Sequence, residues 1–351
     1  MRMKKNLYLE NGFVNHALWY EDPSPFIVCL GGRGTGKTYG ALFDVVAGHY
    51  GKIVYVRRTD TQMQAVKIAE LNPFKRINSD TGSNLMFAPL SKSTAGIYHG
   101  EIVDGVVKPA GDPVGIGVAL SVFSHIRGVD GMDYDTVIFD EFISERTERP
   151  IKNEAEAFLN MYETLNRNRE MPPLNKPPLK CVLLANTNDL RSAILDALGL
   201  VDIIDRMIQK GQEYKRVRNG MLSIYLYQDS PISRAKKQTA LYQVANSADF
   251  SEMALSNKFS RANYEYVKSC PLREYTPLVT IGDVTVYEHA REAGLYYVVD
   301  GIKSDNIYTT YPVDLRAFRA DYFYLYEALL DKSLFYSSAS VKIRFERVWN
   351  F

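Results

Sequence analysis

The most constraining feature of the sequence is the glycine-rich segment Gly-Gly-Arg-Gly-Thr-Gly-Lys-Thr at positions 31–38. It fits the P-loop pattern of Gly, any four residues, then Gly-Lys-Ser/Thr. An apolar run at 26–30 leads into the segment, and a helix-compatible run at 38–47 leads out of it. A strand, a tight loop and a helix in that order are the context in which this pattern binds phosphate. A glycine-rich turn with an exposed lysine is the alternative, and the flanks on both sides argue against it.

The residues of this segment predict a site for ATP and Mg²⁺. Glycines allow successive backbone N–H groups to turn toward a phosphate chain, and the start of the helix adds its positive dipole end. Lys37 would reach the outer phosphates, and the Thr38 hydroxyl would be a ligand for Mg²⁺. The predicted nucleotide-binding residues are Gly31, Gly32, Arg33, Gly34, Thr35, Gly36, Lys37 and Thr38.

A second motif follows further along the chain, where the apolar run Val137–Phe139 ends in Asp140 and Glu141. Three apolar residues in a row indicate a buried parallel strand, whose carboxyl end would place Asp140 beside the phosphates as a second Mg²⁺ ligand. Glu141 would then orient the attacking water, a role worth roughly 10²–10⁴-fold in rate for general bases. An acidic loop without a catalytic role is the alternative.

Two other predicted strands end in polar residues. The strand at 52–58 ends in Arg57 and Arg58, which could face phosphate or DNA or could be ordinary ion-paired arginines. The strand at 179–185 is followed by Asn186, which could sense the γ-phosphate or could simply be a turn residue. Ligands bind at the carboxyl ends of strands in open α/β sheets, so these positions are candidate site residues.

Length and composition bound the class of protein. The chain has 351 residues, which predicts two domains. The formal net charge is +1, which excludes a uniformly basic nucleic-acid coat but leaves room for local basic patches. Three cysteines, two of them in strand-like apolar runs, argue against a disulfide framework. No apolar run has the length of a membrane span, and no secretory signal is expected.

The chain divides into regions of different pattern. Residues 1–198 are predicted to form a P-loop ATPase domain with an α/β fold, in which helices flank a parallel-rich sheet. Residues 199–226 are predicted to be a helical linker, because apolar residues recur there at helical spacing. Residues 227–351 are rich in tyrosine and short alternating runs, which indicates a second, smaller α/β domain. Their last segment, 341–349, alternates apolar and charged residues and is interpreted as a final strand or a tail that docks on a partner.

Five segments together resemble one family, the genome-packaging ATPases of the phi29-like small tailed bacteriophages. Their order and spacing match that family over residues 26–190, and the second and fourth segments are more specific than the P-loop and the acid pair. These segments are Gly-Gly-Arg-Gly-Thr-Gly-Lys-Thr at 31–38, Ile-Val-Tyr-Val-Arg-Arg at 53–58, Val-Ile-Phe-Asp-Glu-Phe-Ile at 137–143, Arg-Asn-Arg-Glu at 167–170 and Cys-Val-Leu-Leu-Ala-Asn at 181–186.

The resemblance implies a motor ATPase of the additional-strand P-loop type, related to terminases, that drives double-stranded DNA into a preformed capsid through the portal, or connector. It also implies a ring of identical subunits, a pentamer by resemblance, with a structural RNA as a partner that not every relative need carry. No membrane partner is implied. The expected location is the cytoplasm of the infected bacterium, transiently on the procapsid.

In this family the C-terminal domain resembles a ribonuclease-H-type nuclease that has lost its catalytic carboxylates. Here the runs at 283–287 and 294–300 predict a hairpin that carries Glu288 and Asp300. No clear third and fourth acid completes a two-metal site of the kind that cleaves phosphodiesters. We therefore expect residues 227–351 to form a vestigial domain that does not cleave DNA.

The resemblance further implies basic residues that act on the nucleotide of a neighbouring subunit, and the family's positions correspond here to Arg127 and Arg167. An arginine supplied in this way is worth roughly 10³–10⁵ in rate in related NTPases. A salt bridge at a helix end is the alternative for both. Arg146 and Arg149, on loops expected to face the pore, are predicted to contact DNA phosphates regardless of base sequence and to do so less tightly in salt.

Two other functions fit the same motifs. The chain could be a different DNA-dependent P-loop ATPase, such as a helicase or a helicase loader, or a nucleotide-gated scaffold that hydrolyses slowly or not at all. The Tyr-Val-Arg-Arg and Arg-Asn-Arg-Glu segments favour a packaging ATPase over the other ATPases. Glu141 favours an enzyme over a scaffold.

Overall fold

The computed structural model describes residues 6–91, 93–104, 106–125, 131–145, 148, 151–186, 190–228, 230–236, 238–244 and 265–349. The chain forms two compact units. The first comprises residues 1–194 and 207–259, and the second comprises residues 195–206 and 260–351. Each unit has its own sheet and its own apolar core.

The first unit is organised by one large sheet. Its strands are β1 (Phe26–Gly31), β2 (Ile53–Arg57), β3 (Leu85–Pro89), β4 (Thr94–Val103), β5 (Val106–Ala119), β6 (Thr136–Asp140), β7 (Lys180–Asn186), β8 (Tyr214–Val217) and β9 (Leu222–Tyr227). Among the described residues the strand order is β3-β4-β5-β2-β6-β7-β1-β9-β8. Strands β5, β2, β6, β7, β1 and β9 are parallel, and β3, β4 and β8 pair antiparallel with their neighbours.

The position of β7 defines the fold class. It lies between β1, which leads into the glycine-rich loop, and β6, which ends in Asp140. This is the additional strand of the predicted class. Strands β1, β6, β7 and β9 read as nearly continuous apolar runs because both of their faces are covered. The predicted parallel-rich α/β fold is therefore confirmed.

Nine helices lie among the described residues from 17 to 244, and the two between 193 and 209 fall largely in the second unit. The nine are α1 (Ala17–Glu21), α2 (Lys37–Val46), α3 (Asp60–Ala65), α4 (Lys75–Thr81), α5 (Glu154–Asn166), α6 (Ala193–Ala197), α7 (Val201–Gln209), α8 (Pro231–Lys236) and α9 (Ala240–Val244). Helix α2 follows the glycine-rich loop and buries Ala41, Leu42 and Val45 in the core of the first unit. The loop is thereby attached to the core at both ends.

Four parallel strands end in residues that the sequence analysis singled out, namely Gly31, Arg57, Asp140 and Asn186. Gly31 pairs with Asn186 across β1 and β7, and Asp140 pairs with Leu184 across β6 and β7. Because parallel strands end at the same edge of a sheet, these four residues collect at one edge.

The structure corrects the predicted helical linker at 199–226. Helix α7 occupies its first part, but β8 and β9 follow, and β9 pairs in parallel with β1 from Phe26 to Gly31. All residues of β9 are buried, so both faces of this strand are covered, as in the centre of a sheet. The first unit therefore continues past residue 227, and the predicted domain boundaries move accordingly.

The second unit is a smaller α/β unit. Its strands are β10 (Tyr275–Ile281), β11 (Val284–His289), β12 (Tyr296–Asp300), β13 (Ile307–Tyr308) and β14 (Leu334–Tyr336), in the order β13-β10-β11-β12-β14 among the described residues. Its helices are α10 (Pro312–Asp321), α11 (Phe323–Leu330) and α12 (Ala339–Arg347). The predicted hairpin is confirmed, because β11 and β12 pair antiparallel. The ribonuclease-H likeness of this unit stays a prediction.

The end of the chain is a helix rather than the strand or tail that its alternating pattern suggested. Helix α12 begins after Ser338, whose hydroxyl accepts a hydrogen bond from the Val341 N–H at 3.2 Å. Lys342 and Glu346 are both buried and lie 3.7 Å apart, one helical turn from each other. Two of the four charged residues in this alternating segment are thus buried, so the alternation does not separate an exposed face from a buried one.

Two expectations about composition can be compared with the structure. None of the described helices is long and apolar enough to cross a membrane. Cys29 and Cys181 are free thiols buried in β1 and β7, as the apolar runs around them predicted.

Asp22 binds the turn before β1 to the neighbouring strands β9 and β8. Its buried carboxylate accepts hydrogen bonds from the Ser24 N–H at 2.9 Å, the Tyr225 hydroxyl at 2.7 Å and the Tyr214 hydroxyl at 3.2 Å. Burial by itself would raise the pKa of Asp22, but the donors, led by the Ser24 N–H and the Tyr225 hydroxyl, outweigh it and lower the pKa to about 2. The ionised carboxylate therefore stabilises the pairing of this turn with β8 and β9.

Replacing Asp22 with Asn should lower the free energy of unfolding by about 2 kcal/mol at neutral pH, because buried donors lose a charged acceptor. The lowered pKa means that this stabilisation is complete above the unfolded-state pKa of about 4 and is lost as the pH falls from about 4 to about 2. Denaturant unfolding followed by circular dichroism along an acid series measures the difference. Glu21→Gln, at an exposed neighbouring carboxylate, is the control; a D22N deficit that stays constant down to pH 2 contradicts this role.

Candidate active site

The glycine-rich loop between β1 and α2 has the shape of a phosphate cradle. Gly34 and Gly36 have φ angles of 67° and 91°, a region that glycine enters without strain. The Thr35 hydroxyl donates to the Gly32 carbonyl at 3.0 Å, and the Val14 N–H donates to the Thr35 carbonyl at 3.0 Å. The loop is therefore held in shape by the chain around it.

Lys37 is folded against this loop. Its Nζ donates to the carbonyl oxygens of Gly31 at 3.0 Å and Gly32 at 2.8 Å, and to Oδ1 of Asn186 at 3.3 Å. Burial lowers the pKa of Lys37 to about 8, and the attraction of Asp140 opposes that shift in part. The ammonium is thus poorly hydrated and held only by neutral oxygens, so phosphate oxygens could replace them with a gain in charge pairing.

Asp140 is the most heavily bonded carboxylate of the site. Its Oδ1 accepts from the Thr38 hydroxyl at 2.9 Å, and its Oδ2 accepts from the Tyr55 hydroxyl at 2.9 Å and from Nη1 of Arg57 at 2.9 Å. The Thr38 hydroxyl and the Asp140 carboxylate are oxygen ligands of the kind that Mg²⁺ takes, one or two from the protein and the rest from water and phosphate. The residues present therefore fit the predicted metal ion.

Glu141 follows Asp140 with a positive φ of 55°, which turns its side chain away from the strand. Its carboxylate is ion-paired with Nη2 of Arg57, so one guanidinium bridges the two consecutive acids. Burial raises the pKa of Glu141, with Arg57 acting in the opposite direction. A carboxylate with a raised pKa is a stronger base once its ion pair opens.

Arg58, the second arginine after β2, points elsewhere and is fully buried. Its Nε donates to Oε1 of Glu154 at 2.6 Å, and its Nη1 is ion-paired with Glu148, which also accepts from Nε2 of Gln62 at 2.9 Å. Both arginines are therefore ion-paired with carboxylates. Of the two alternatives left open by the sequence, this structure shows the ion pairs.

A cavity of about 410 Å³ opens above these residues, a volume within the usual range for small-molecule sites. Arg33 and Glu145 form an ion pair at its rim. The lining residues are Arg33, Gly34, Thr35, Gly36, Lys37, Thr38, Tyr39, Asp140, Glu141, Glu145, Ala185 and Asn186.

The structure brings together most of the predicted site. The loop residues 33–38 line one cavity together with Asp140, Glu141 and Asn186, whereas the predicted Gly31 and Gly32 are not among its described lining residues. Arg167 caps the end of α5, is exposed, and is not among the residues that line this cavity in the described part of the chain. The remaining predicted site residues, Arg127, Arg146 and Arg149, lie outside the described residues.

Sequence reasoning missed Tyr55 and did not fix the partner of Arg57. Both are on β2, two residues apart, so they share one face of the strand. Strand β2 pairs with β6 up to Val56 and Phe139, and the next position of that register sets Arg57 opposite Asp140. The signal that could have identified them is a pair of polar residues at alternate positions of the strand next to β6.

With β7 inserted between β1 and β6 and with Thr38 bonded to Asp140, the first unit has the fold of an additional-strand P-loop NTPase. A family model, that of the podovirus DNA encapsidation proteins (Gp16), matches residues 108–299. The chain belongs to this family, and the resemblance inferred from its motifs is confirmed.

Individual relatives are distant. The chain is 25% identical over 234 residues to the DNA packaging protein of Bacillus phage B103, covering 66% of this chain and 63% of that protein. It is 24% identical over 234 residues to the DNA packaging protein of Bacillus phage phi29, covering 66% of this chain and 60% of that protein. The chain therefore spans less than two thirds of the length of the curated relatives it matches.

Solved structures share the fold. A chain of the phi29 viral genome packaging motor assembly superimposes with a TM-score of 0.64 at 17% identity, covering 96% of this chain and 98% of that one. The Phi-28 gp11 DNA packaging motor superimposes with a TM-score of 0.57 at 16% identity, covering 92% and 93%. At these identities the likeness establishes the fold alone.

Replacing Arg57 with Ala should lower the free energy of unfolding by about 2 kcal/mol, because the neighbouring carboxylates of Asp140 and Glu141 lose their shared cation. Millimolar Mg²⁺ should then raise the melting temperature of the variant more than that of the wild type, since a divalent cation can neutralise the same acids. Thermal unfolding with and without Mg²⁺ at matched ionic strength measures both effects.

The double variant Arg57→Ala/Asp140→Asn is the control, because it removes the carboxylate on which the added ion should bind. It should lose the extra response to Mg²⁺. Equal Mg²⁺ responses in wild type and R57A would contradict the proposed charge balance.

Proposed function

We propose that this chain is an ATP-driven translocase of double-stranded DNA that packages a viral genome as one subunit of a homo-oligomeric ring on the portal of a preformed capsid. The observation that carries the proposal is the meeting of Thr38 with Asp140 beside Lys37 and Glu141 in one cavity. It is supported by family membership and by relatives that are named DNA packaging proteins.

Within the site, each residue has a distinct task. Lys37 exchanges its carbonyl partners for oxygens of the outer phosphates, and the loop N–H groups hold the rest of the phosphate chain. Thr38 and Asp140 hold Mg²⁺, which when bound neutralises charge on the transferring phosphoryl group. Asn186, bonded to Lys37 at the tip of β7, reports whether the γ-phosphate is present.

Glu141 is the general base. It orients the attacking water and takes its proton, and its raised pKa suits that task. Arg57 holds both Glu141 and Asp140 in this structure, and a paired cation weakens a carboxylate as a base, so the ion pair must open before Glu141 can take a proton efficiently. Hydrolysis therefore requires a rearrangement at the end of β2.

The proposed ring completes each site with a neighbour's arginines. Arg167 is exposed at the end of α5 and outside its own cavity, which suits a residue that acts on another subunit's nucleotide. Arg127 is proposed for the same role and Arg146 and Arg149 for DNA phosphates, on the family resemblance alone. The pentameric state, the portal contact, a structural RNA and the non-cleaving second domain are proposed on the same ground.

The direct test is the ATPase rate of the full chain with long double-stranded DNA, with empty capsids, with both together, and with single-stranded or forked DNA. Packaging predicts that double-stranded DNA and capsids together give the largest stimulation. A helicase would respond instead to single strands or forks, and a scaffold would show no turnover with any of them. Either result would overturn the proposal.

In the same assay Glu141→Gln should still bind ATP and should lose roughly 10²–10⁴-fold in turnover, because the amide keeps the shape of the side chain but cannot take a proton. Binding is measured by equilibrium titration and turnover by phosphate release. Unchanged turnover would reject Glu141 as the base.

Trans action is tested by mixing subunits. Arg167→Ala and Lys37→Ala should each be inactive alone, and their mixture should recover part of the hydrolysis, because some interfaces then combine an intact Lys37 with an intact Arg167. The matched control mixes Lys37→Ala with Glu141→Gln, whose defects both lie in the subunit that binds the nucleotide, and should recover nothing. If the first mixture is as inactive as the second, Arg167 does not act in trans.

A further inference from the structure

A second lysine, Lys236 at the end of α8, bonds to the outside of the glycine-rich loop. Its Nζ donates to the carbonyl oxygen of Arg33 at 2.5 Å. Lys37 already binds the carbonyl oxygens of Gly31 and Gly32. Three consecutive carbonyls of the loop are therefore held by lysine ammonium groups, one of them supplied from a distant part of the sequence.

The position of Lys236 is built into the fold. Strand β9 pairs with β1 as far as Tyr227 and Gly31, so α8 starts beside the loop. The Ser230 hydroxyl donates to the Gly12 carbonyl at 3.4 Å, and a Cβ atom on Gly12 would come within 3.0 Å of Pro231 Cβ. The start of α8 therefore packs on the segment that precedes β1, and its last residue contacts the loop.

Close packing supports the same contact. The Lys236 ammonium lies against Gly34, where an added Cβ atom would overlap it. Lys236 is half-buried, and burial lowers its pKa. An ammonium that gives up water for one carbonyl oxygen, near a second ammonium, is in an unfavourable position until an anion binds close by.

The peptide that Lys236 holds is one that a phosphate would use. The Arg33 carbonyl and the Gly34 N–H belong to the same planar trans peptide and point in opposite directions. A cation on the oxygen side polarises the N–H on the other side and makes it a stronger donor. Lys236 is not among the described residues that line the cavity, so its effect on a ligand passes through this peptide and through its charge.

We propose that Lys236 is a positioning residue of the phosphate loop that fixes the Arg33–Gly34 peptide and favours a nucleoside triphosphate over a diphosphate. The preference follows because the added positive charge attracts the more highly charged ligand more strongly. The inference rests on the nucleotide binding of the proposed function and adds to it a residue outside the P-loop motif. It gives the segment after β9 an effect on ligand choice through the Arg33–Gly34 peptide.

The test compares full-length wild type with Lys236→Met, which keeps the apolar stem and removes the charge, and with Lys236→Arg, which keeps the charge. The probes are fluorescent mant-AMPPNP, a triphosphate that is not hydrolysed, and mant-ADP, each titrated in Mg²⁺ buffer at low and at high NaCl. K236M should weaken triphosphate binding roughly three- to tenfold and diphosphate binding less. The difference between the losses of triphosphate and diphosphate binding should be smaller in high salt, which screens charge. K236R should restore most of the triphosphate binding.

Arg234→Met is the matched control, because it removes the same charge from an exposed position of the same helix and should change neither Kd. An equal loss of affinity for both nucleotides that does not change with salt would mean that Lys236 only supports the structure of the loop. That result would overturn the proposal, as would no loss of affinity at all. Thermal unfolding checks that each variant is folded, and Lys236→Gln replaces K236M if that variant is not.

The two proposals fail in different ways. If the wild type binds neither probe, or if Lys37→Met binds as well as wild type, nucleotide binding at this loop is wrong. If wild type binds and Lys37→Met does not, while K236M is unchanged, only the role of Lys236 is wrong.

Discussion

The site depends on the insertion of β7 between the strand that ends in the phosphate loop and the strand that ends in Asp140. Neighbouring strands lie about 4.8 Å apart, so the ends of β1 and β6 are separated by about 10 Å. That gap is the cavity, bordered below by Ala185 and Asn186 of the inserted strand. The first turn of α2 reaches across it, so that Thr38 meets Asp140 at 2.9 Å.

The end of β2 supplies the positive charge that lets acidic side chains gather at this edge. An unpaired carboxylate there would either be destabilising or take up a proton, because the surroundings are partly desolvated. Instead, each arginine is ion-paired with two carboxylates, and no carboxylate is shared between the two arginines. Arg57 holds Asp140 and Glu141, and Arg58 holds Glu148 and Glu154. The acid pair at the end of β6 and the two glutamates that follow it in the chain are therefore bound to the same strand end through separate ion pairs.

The loop and the acid pair could be predicted from sequence because their signals are local. Glycine spacing specifies the loop, and the apolar run before Asp140 marks the end of a buried strand. The partner of Arg57 could not be predicted, since the sequence is the same whether the arginine faces phosphate or carboxylate, and only the register of β2 on β6 decides. The linker prediction fails at β9 for a related reason, because its pairing with β1 joins segments far apart in the chain. The roles of Arg127 and Arg167 stay predictions.

Because β9 pairs with β1, the part of the chain that supports the site extends beyond the motifs found in the sequence. Tyr227 lies so close to Gly31 that a Cβ there would come within 2.8 Å of Tyr227 Cβ, and Lys236 bonds the loop directly. A chain ending after β7 would keep every motif and yet leave β1 as an edge strand, paired with β7 alone. The family model spans 108–299, which includes Asp140 and β9 but not the loop. The segment after β7 thus supports the glycine-rich loop through the sheet, although nothing in its own sequence resembles a nucleotide-binding motif.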